Sequence, residues 1–530
     1  MSGTTTSRLL ETVDTRTRAL VQRLQKLQEI GTQLSAEQDL SKLLGLILRE
    51  SRFLTDSDAG AVYVRVDDVQ AVESATGKDS IHRITPYLAL KVVQNDSIAV
   101  PFKEMRLPFD PKTISGYVAF KGEILNLPDV YQLPAGMPFT YSRAFDQASG
   151  YRCKSMLVIP MRSREGDVIG VIQLINKKRD GRAVLDSPDK VEHGVTSFDP
   201  FDEEFLAALA SQAGICIEKA RLYDDIERMF EGLVNSFTLA LERRNRTTFG
   251  HCMRVAKYAV AIAEAVNDSD PARFDGLRFT DVQVKELRYA ALLHDIGKIA
   301  VPEAVLDKHN KLLDSEVRAI EYRFAYAKSQ GKPAAKVDGW IAAIKRVNIP
   351  RPLAPEDKKL LGEMLAETFA DLDGQTRPLL TAPEYENLAI ERGNLTGGER
   401  KQIEQHIVDT WEILKRIPWP RDFRRVANIA ACHHEKINGT GYPWKLKGDE
   451  VPIGGQILAI VDIFEALTAK DRPYKPAIPV EKAIQIVQEE VDRGALNAKI
   501  WKLFLERKLF NLFTDETGFV HRPPVPQLPK

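Results

Sequence analysis

Cysteine is scarce and unpaired in this 530-residue chain. The four thiols, Cys153, Cys216, Cys252 and Cys432, show no CxxC or matching spacing, so neither a disulfide scaffold nor a thiolate zinc site is expected. That usage suits a reducing compartment, and a cytoplasmic protein is the expectation. Long apolar runs are missing as well: no stretch of about 18 uncharged apolar residues occurs, and Met1 to Arg8 is polar, so no membrane insertion and no secretory leader are expected. Charge of one sign is not in excess. Lys plus Arg and Asp plus Glu stand at 74 each, which gives no general attraction for a nucleic acid polymer or an anionic membrane. Binding must come from local sites. What is present, 44% hydrophobic and 28% charged residues, is ordinary globular composition, at a length suited to roughly two to four domains.

Leu9 to Leu54 reads as helical, with Leu20, Leu24, Leu27 and Leu34 near heptad spacing; it is either a helix packed on its own domain or a dimerising coiled coil. Strands are expected at 60–66, 87–93, 154–161 and 167–176, the last two joined as a hairpin through 162–167. An antiparallel sheet with flanking helices follows, and the proline-broken stretch 110–150 is placed to line a pocket on it. From Phe205 to about Arg246 a long helix carries Ile226, Phe230, Leu233 and Phe237 at alternating spacings of four and three. At ~1.5 Å per residue it spans on the order of 60 Å, so it is expected to pair with its copy in a homodimer and to relay the state of one domain to the next.

Unusual chemistry begins after that helix. The apolar run Ala290 to Leu293 reads as a buried helix carrying the adjacent His294 and Asp295, about 100° apart, into an interior where each needs a partner. His251, His406, His433, His434 and Asp462 join them in segments of helical character. Five of the nine histidines with two aspartates form a set suited to first-row transition metals in a two-metal centre.

Asn176-Lys177, Phe198 and Asp202-Glu203 reproduce an NK…F…DE signature, and residues 34–223 resemble a GAF domain. The resemblance implies a small-molecule sensor for a cyclic nucleotide or another small ligand; Lys177 and Asp202 also suit a salt bridge tying the sheet to the next helix. Farther on stand Gly250-His251, His294-Asp295-Ile-Gly-Lys298, Ile403-Glu-Gln-His406, His433-His-Glu-Lys-Ile-Asn-Gly-Thr-Gly-Tyr-Pro443, and Val461 to Thr468 followed by Asp471-Arg-Pro-Tyr-Lys475. In this order they resemble the HD-GYP family of bacterial phosphodiesterases, a branch of the HD superfamily. The resemblance implies hydrolysis of cyclic di-GMP or a related cyclic dinucleotide with two divalent transition metal ions, iron or manganese foremost. One ion would take His251, His294, Asp295 and Asp462, and the other His406, His433 and His434, with Asp295 bridging. Asp295 and Lys298 are the expected catalytic residues. Lys298, Tyr442, Arg472 and Lys475 are the expected substrate contacts, the cations as phosphate partners and Tyr442 through its hydroxyl.

Some residues depart from the family pattern. Lys436 and Asn438 stand where members usually carry Arg and Asp, and Thr247 replaces the glutamate of three-metal members, so two metals are expected. Leu312 to Arg323 aligns with Leu395 to His406, which marks 313–394 as an inserted helical subdomain and gives the ligand position to His406, not Arg323. The expected architecture is multidomain: an N-terminal helix (1–33), an α+β GAF domain with an antiparallel sheet and flanking helices (34–223), a long linker helix (224–246), an all-α HD-GYP domain with its helical insertion (247–515) and a tail (516–530). Two other functions stay open, an HD-type nucleotide phosphohydrolase and a catalytically silent cyclic-dinucleotide receptor.

Overall fold

A computed structural model describes residues 25, 28–37, 39–73, 80–100, 103–244, 250–469 and 478–513. Leu20, Leu24, Leu27, Thr247, Arg472 and Lys475, named above, lie outside the described residues. The chain divides into two compact units, Met1–Met229 and Phe230–Lys530.

The first unit is built on an antiparallel sheet of β1 (Ser57–Glu73), β2 (Ser80–Asn95), β3 (Arg106–Pro108), β4 (Leu125–Leu127), β5 (Met156–Arg162), β6 (Val168–Lys178) and β7 (Val195–Thr196). The strand order is β3-β2-β1-β6-β5-β4, with β7 beside β6. The strands expected at 60–66 and 87–93 fall within β1 and β2, those expected at 154–161 and 167–176 begin two residues and one residue before β5 and β6, and the β5–β6 hairpin closes at Arg162 opposite Val168. The three others run two or three residues, too short for a period to register.

Successive side chains alternate between the faces of this sheet, and both faces are buried. Val62, Val64, Leu157, Ile159, Ile172 and Leu174 pack with helix Leu40–Leu54 and with Leu206, Leu209 and Ala213 of the long helix. Leu34 is fully buried in the same core, so this part of the N-terminal stretch packs on its own domain. On the other face Ala61, Tyr63, Leu88, Met156 and Val158 meet helix Ile114–Lys121 and the loops around it. The stretch 110–150 carries that helix and a short second one, Ala144–Ser149. Lys177 bonds to Asp202 and, at 3.0 Å, to Asp199, so the sheet is tied to the long helix as expected.

That helix runs from Pro200 to Arg244, 45 residues. Ile226, Leu233 and Phe237 are about half exposed along it, but Phe230 leaves this stripe. Its ring turns inward to sit edge-on to Tyr289 and Trp419, at 5.1 and 5.4 Å.

In the second unit the helices His251–Asn267, Asp281–Leu293, Val426–Ala431, Ile453–Thr468, Val480–Asp492 and Ala498–Glu506 share one core, in which Tyr258, Leu292, Ile460, Phe464 and Trp501 are buried. A separate core forms between Leu312 and Leu388 around Phe324, Trp340, Leu361 and Met364. Four helices build it, Asp314–Ser329, Ala334–Asn348, Pro355–Ala366 and Ala382–Leu388, together with a hairpin of β8 (Thr368–Ala370) and β9 (Thr376–Pro378). The hairpin is an addition to the expected all-helical insertion; its strands are three residues long and its turn uses Gly374 at φ 76°. The aligned segments both begin helices in the same way: Glu316 reaches back to the Leu313 amide at 2.7 Å, and Glu399 to the Thr396 amide at 2.8 Å.

Candidate metal centre

His294 and Asp295 do not share a helix, contrary to expectation. The helix ends at Leu293, His294 is its C-cap, and Asp295 has φ −101° and ψ 7°, opening a short 3-10 turn, Ile296–Ala300. The break follows from close packing. Gly297 donates to Thr410 Oγ1 at 3.0 Å, and a Cβ there would collide with the His406 carbonyl oxygen. The two segments therefore touch backbone to backbone, and His406 arrives beside Asp295.

All seven expected metal ligands converge. Asp295 Oδ2 lies 3.8 Å from His251 Nε2 and 3.6 Å from His294 Nε2, while Oδ1 lies 3.4 Å from His406 Nε2 and 3.8 Å from His433 Nε2. Asp462 Oδ1 is 3.2 Å from His251 Nε2 and 3.7 Å from His294 Nε2. Two groups with a metal-like arrangement result, His251/His294/Asp462 and His406/His433/His434, and a third, His294/Asp295/His433, joins them. Arg323 is elsewhere, paired with Glu384 at 2.8 and 2.9 Å within the insertion.

Three of the buried imidazoles are held through Nδ1 by backbone carbonyls. His294 Nδ1 faces the Ala291 carbonyl at 2.8 Å, His433 Nδ1 faces that of Ala430 at 2.7 Å, and His406 Nδ1 meets that of Ile403. In every case the acceptor is three residues earlier, at or beside a helix end. A carbonyl only accepts, so each Nδ1 carries the proton and each Nε2 turns a lone pair inward. Those three Nε2 atoms and Asp295 Oδ1 are buried without a hydrogen-bond partner.

The electrostatics suit cations. Burial and neighbouring imidazoles push the His433 pKa well below its ordinary value, and burial brings that of His434 down to about 4, so both are neutral near pH 7, as ligation requires. Burial would raise the carboxyls of Asp295 and Asp462, yet Lys298, His294 and His406 hold the first, and His251 and His294 the second, well below the usual range. His251 is the reverse case: burial disfavours its charge, but Glu465 and Asp462 outweigh this and raise it to about 10. The acidic pair that draws a proton there would equally draw a metal cation. The donor set, its orphaned lone pairs and the fixed tautomers fit divalent metal ions.

Of the expected substrate contacts, Lys298 places its ammonium 2.5 Å from Asp295 Oδ2. Tyr442 stacks on His434, with ring centroids 4.8 Å apart and planes at 27°. Its loop is held by Glu435, fully buried, which accepts from the Trp444 and Leu446 amides at 2.8 and 3.0 Å. Gly441 is required there, because a Cβ would strike the Lys436 amide nitrogen. The departures Lys436 and Asn438 are taken up by contacts to the helix Val480–Asp492 and its end: Lys436 reaches Glu490 at 3.5 Å and Asn438 donates to the Arg493 carbonyl at 3.2 Å.

Sequence reading missed Glu465 and Arg254. Glu465 is wholly buried; it bonds to His251 Nδ1 and accepts from Arg254 Nε at 2.6 Å. A signal existed, since Arg254 follows His251 by three and Glu465 follows Asp462 by three, placing each pair on one helix face.

A cavity of about 490 Å³ opens on the sheet of the first unit, and Tyr141, Ser142 and Phe145 from the loop-rich stretch line it as expected. Its wall is mostly apolar. Tyr141 donates to Asp146, Tyr151 to Asp58, and Gln173 accepts from Ser115, so these polar atoms are already engaged.

Family models match three stretches: the GAF domain over residues 39–217, the HD domain over 248–362, and a second HD-domain model over 377–500. The 3'3'-cGAMP-specific phosphodiesterase 3 of Vibrio cholerae is 27% identical over 286 residues, 54% of this chain and 40% of its own. A probable cyclic di-GMP phosphodiesterase of the same organism is 25% identical over 272 residues, 51% of this chain and 43% of its own. The cyclic di-GMP phosphodiesterase of Thermotoga maritima is 37% identical over 133 residues, 25% of this chain and 35% of its own. The chain thus spans less than half the length of these curated relatives. Among the described residues no helix is long and apolar enough to cross a membrane.

Proposed function

This chain joins a GAF domain to an HD domain, and from that premise we propose that it is a cytoplasmic two-metal phosphodiesterase of the HD-GYP type, hydrolysing cyclic di-GMP or a mixed cyclic dinucleotide to the linear form under GAF control. The observation that carries the reading is Asp295, whose two oxygens face two separate histidine groups. His251, His294 and Asp462 would hold one cation, His406, His433 and His434 the other, and Asp295 both. Cations bound there would supply Lewis acidity toward the phosphodiester and lower the pKa of water. The protein's part is placement. The carbonyls behind His294, His406 and His433 fix which nitrogen faces the site, and Glu465 does the same for His251. Lys298 carries a positive charge beside Asp295, where it can neutralise a nonbridging phosphate oxygen. Tyr442, stacked on His434, would meet the substrate through its hydroxyl, and Glu435 keeps its loop in position.

The two histidine groups favour this reading over a nucleotide phosphohydrolase, which would need only the first. The relatives' printed names support the substrate class. Incubation of the manganese- or iron-loaded protein with cyclic di-GMP, 3'3'-cGAMP and mononucleotides, with products resolved by chromatography, should yield linear dinucleotide. Turnover of mononucleotides alone would favour the phosphohydrolase, and binding without any turnover the silent receptor.

For the GAF cavity, the other small ligand is the better reading than a cyclic nucleotide. Tyr141, Tyr151 and Gln173 are engaged as named above, and among the described lining residues the one cation, Lys103, is exposed, so no buried cation faces the cavity to meet a phosphate. An uncharged, largely apolar molecule suits that wall. The half-exposed stripe of Ile226, Leu233 and Phe237, with Met229 between them, supports a homodimer through the long helix.

A further inference from the structure

The last turns of the long helix Pro200–Arg244 are built into the second unit. Glu231 pairs with Arg288 at 2.9 Å, and Val234 enters the main core. One and two turns beyond Val234 stand two buried polar residues, Thr238 and Glu242, four apart and therefore on one face. Neither is a candidate ligand. Thr238 Oγ1 bonds to the Leu292 carbonyl at 3.2 Å as well as to its own helix at Val234, 2.9 Å. Leu292 is in the final turn of the helix capped by His294, so its carbonyl is one of those that a helix end leaves without an amide. The Glu242 carboxylate receives the amides of Gly250 and Cys252, which flank His251 at the start of the next helix. Gly250, the N-cap of that helix, has no side chain to take this role, and the negative charge suits the positive end of the helix. Burial pushes the Glu242 pKa up, and its Oε1 atom has no hydrogen-bond partner. A single face of the long helix thus closes the C-terminal end of one ligand-bearing helix and the N-terminal end of the other, each within two residues of a ligand. The two imidazoles so placed have ring centroids 5.3 Å apart.

We propose that Thr238 and Glu242 are positioning residues for the His251/His294/Asp462 group, so that the setting of the long helix determines how well that group holds its cation. The proposal rests on the two-metal reading, and its test separates the two. Cobalt(II) titration of the full-length protein, followed by visible absorption, is carried out in a His433→Ala background, which retains the first group, and in a His251→Ala background, which retains the second. Thr238→Val and Glu242→Ala should each weaken cobalt binding about tenfold in the first background and by less than about threefold in the second. Thr238→Ser and Glu242→Gln, which keep an acceptor or hydroxyl in place, should recover most of the loss. Equal weakening in both backgrounds would reduce the two residues to general stabilisers and overturn the proposal, as would no weakening in either. If Glu242→Ala fails to fold, the Thr238 pair decides the question. Absence of any cobalt binding by the parent protein would instead refute the metal reading itself, before a helix variant is made.

Discussion

Replacing Glu465 separates the role of a buried ion pair in stability from its role at the metal site. The carboxylate is fully enclosed, bonded to His251 on one oxygen and to Arg254 at 2.6 Å on the other, and Arg254 is itself 2% exposed. Glu465→Ala removes the carboxylate that faces the buried Arg254 guanidinium, a loss of about 3–5 kcal/mol. Glu465→Gln keeps the shape and an acceptor but removes the charge, so its cost should fall well below that of alanine. At the metal site the expected effect is distinct: losing the group that orients a ligand imidazole typically lowers metal affinity about 10- to 100-fold, or ~1.4–2.7 kcal/mol. The decisive variant is Arg254→Met with Glu465→Leu. Replacing a buried pair by apolar side chains of similar size often restores stability, but it cannot give His251 Nδ1 an acceptor. Thermal melts and chelator-competition titrations with manganese on the same preparations should therefore show recovered stability and unrecovered affinity. If affinity returned together with stability, Glu465 would act only through folding and the argument for ligand orientation would fail.

Gly297→Ala should damage both histidine groups at once, because a Cβ there strikes the His406 carbonyl and forces apart the segments that bring Asp295 to His406; loss of only one bound metal in elemental analysis would contradict this. In the insertion, burial would raise the Glu384 carboxyl, but Arg323 and Thr381 hold it below the ordinary value. Its stabilising effect is therefore fully present above about pH 4.5 and is lost as pH falls through the lowered pKa. The difference in urea midpoint between wild type and Glu384→Gln should hold steady from pH 7 to 5 and shrink on further acidification; growth of the difference would be the wrong sign. Ile226→Glu with Leu233→Glu should convert a dimer to a monomer in sedimentation velocity without changing the melting temperature by more than a few degrees, since both side chains are about half exposed. A dimer that survived would place its interface elsewhere.

The candidate ligands were legible as a group because imidazoles and carboxylates are costly inside an apolar core, so His251, His294, Asp295, His406, His433, His434 and Asp462 stand out wherever the surrounding residues are Ala, Leu, Ile and Val. The choice of His406 over Arg323 was legible for a similar reason: both segments start helices through a glutamate three residues after the cap, but only one ends in an imidazole. The backbone around the pair was not. A helix that stops at Leu293 looks continuous in sequence, because the cause of the stop is Thr410 and the carbonyl of His406, more than a hundred residues away. Phe230 fitted the heptad by spacing, and only the presence of Tyr289 and Trp419 turns it inward. Glu465, Glu435 and Glu242 look like surface carboxylates by composition; His251 and Arg254, far along the chain, make the first an interior one, and amides of the following loop or helix start do so for the other two.

The most direct test of the account is the number of metal ions held per chain, measured by elemental analysis after reconstitution with manganese and gel filtration. The wild-type protein should hold two, His433→Ala one, and Asp295→Asn fewer than two, because its two oxygens face both groups. A wild-type protein that holds a single ion, or a His433→Ala variant that still holds two, would contradict the bridged two-metal centre.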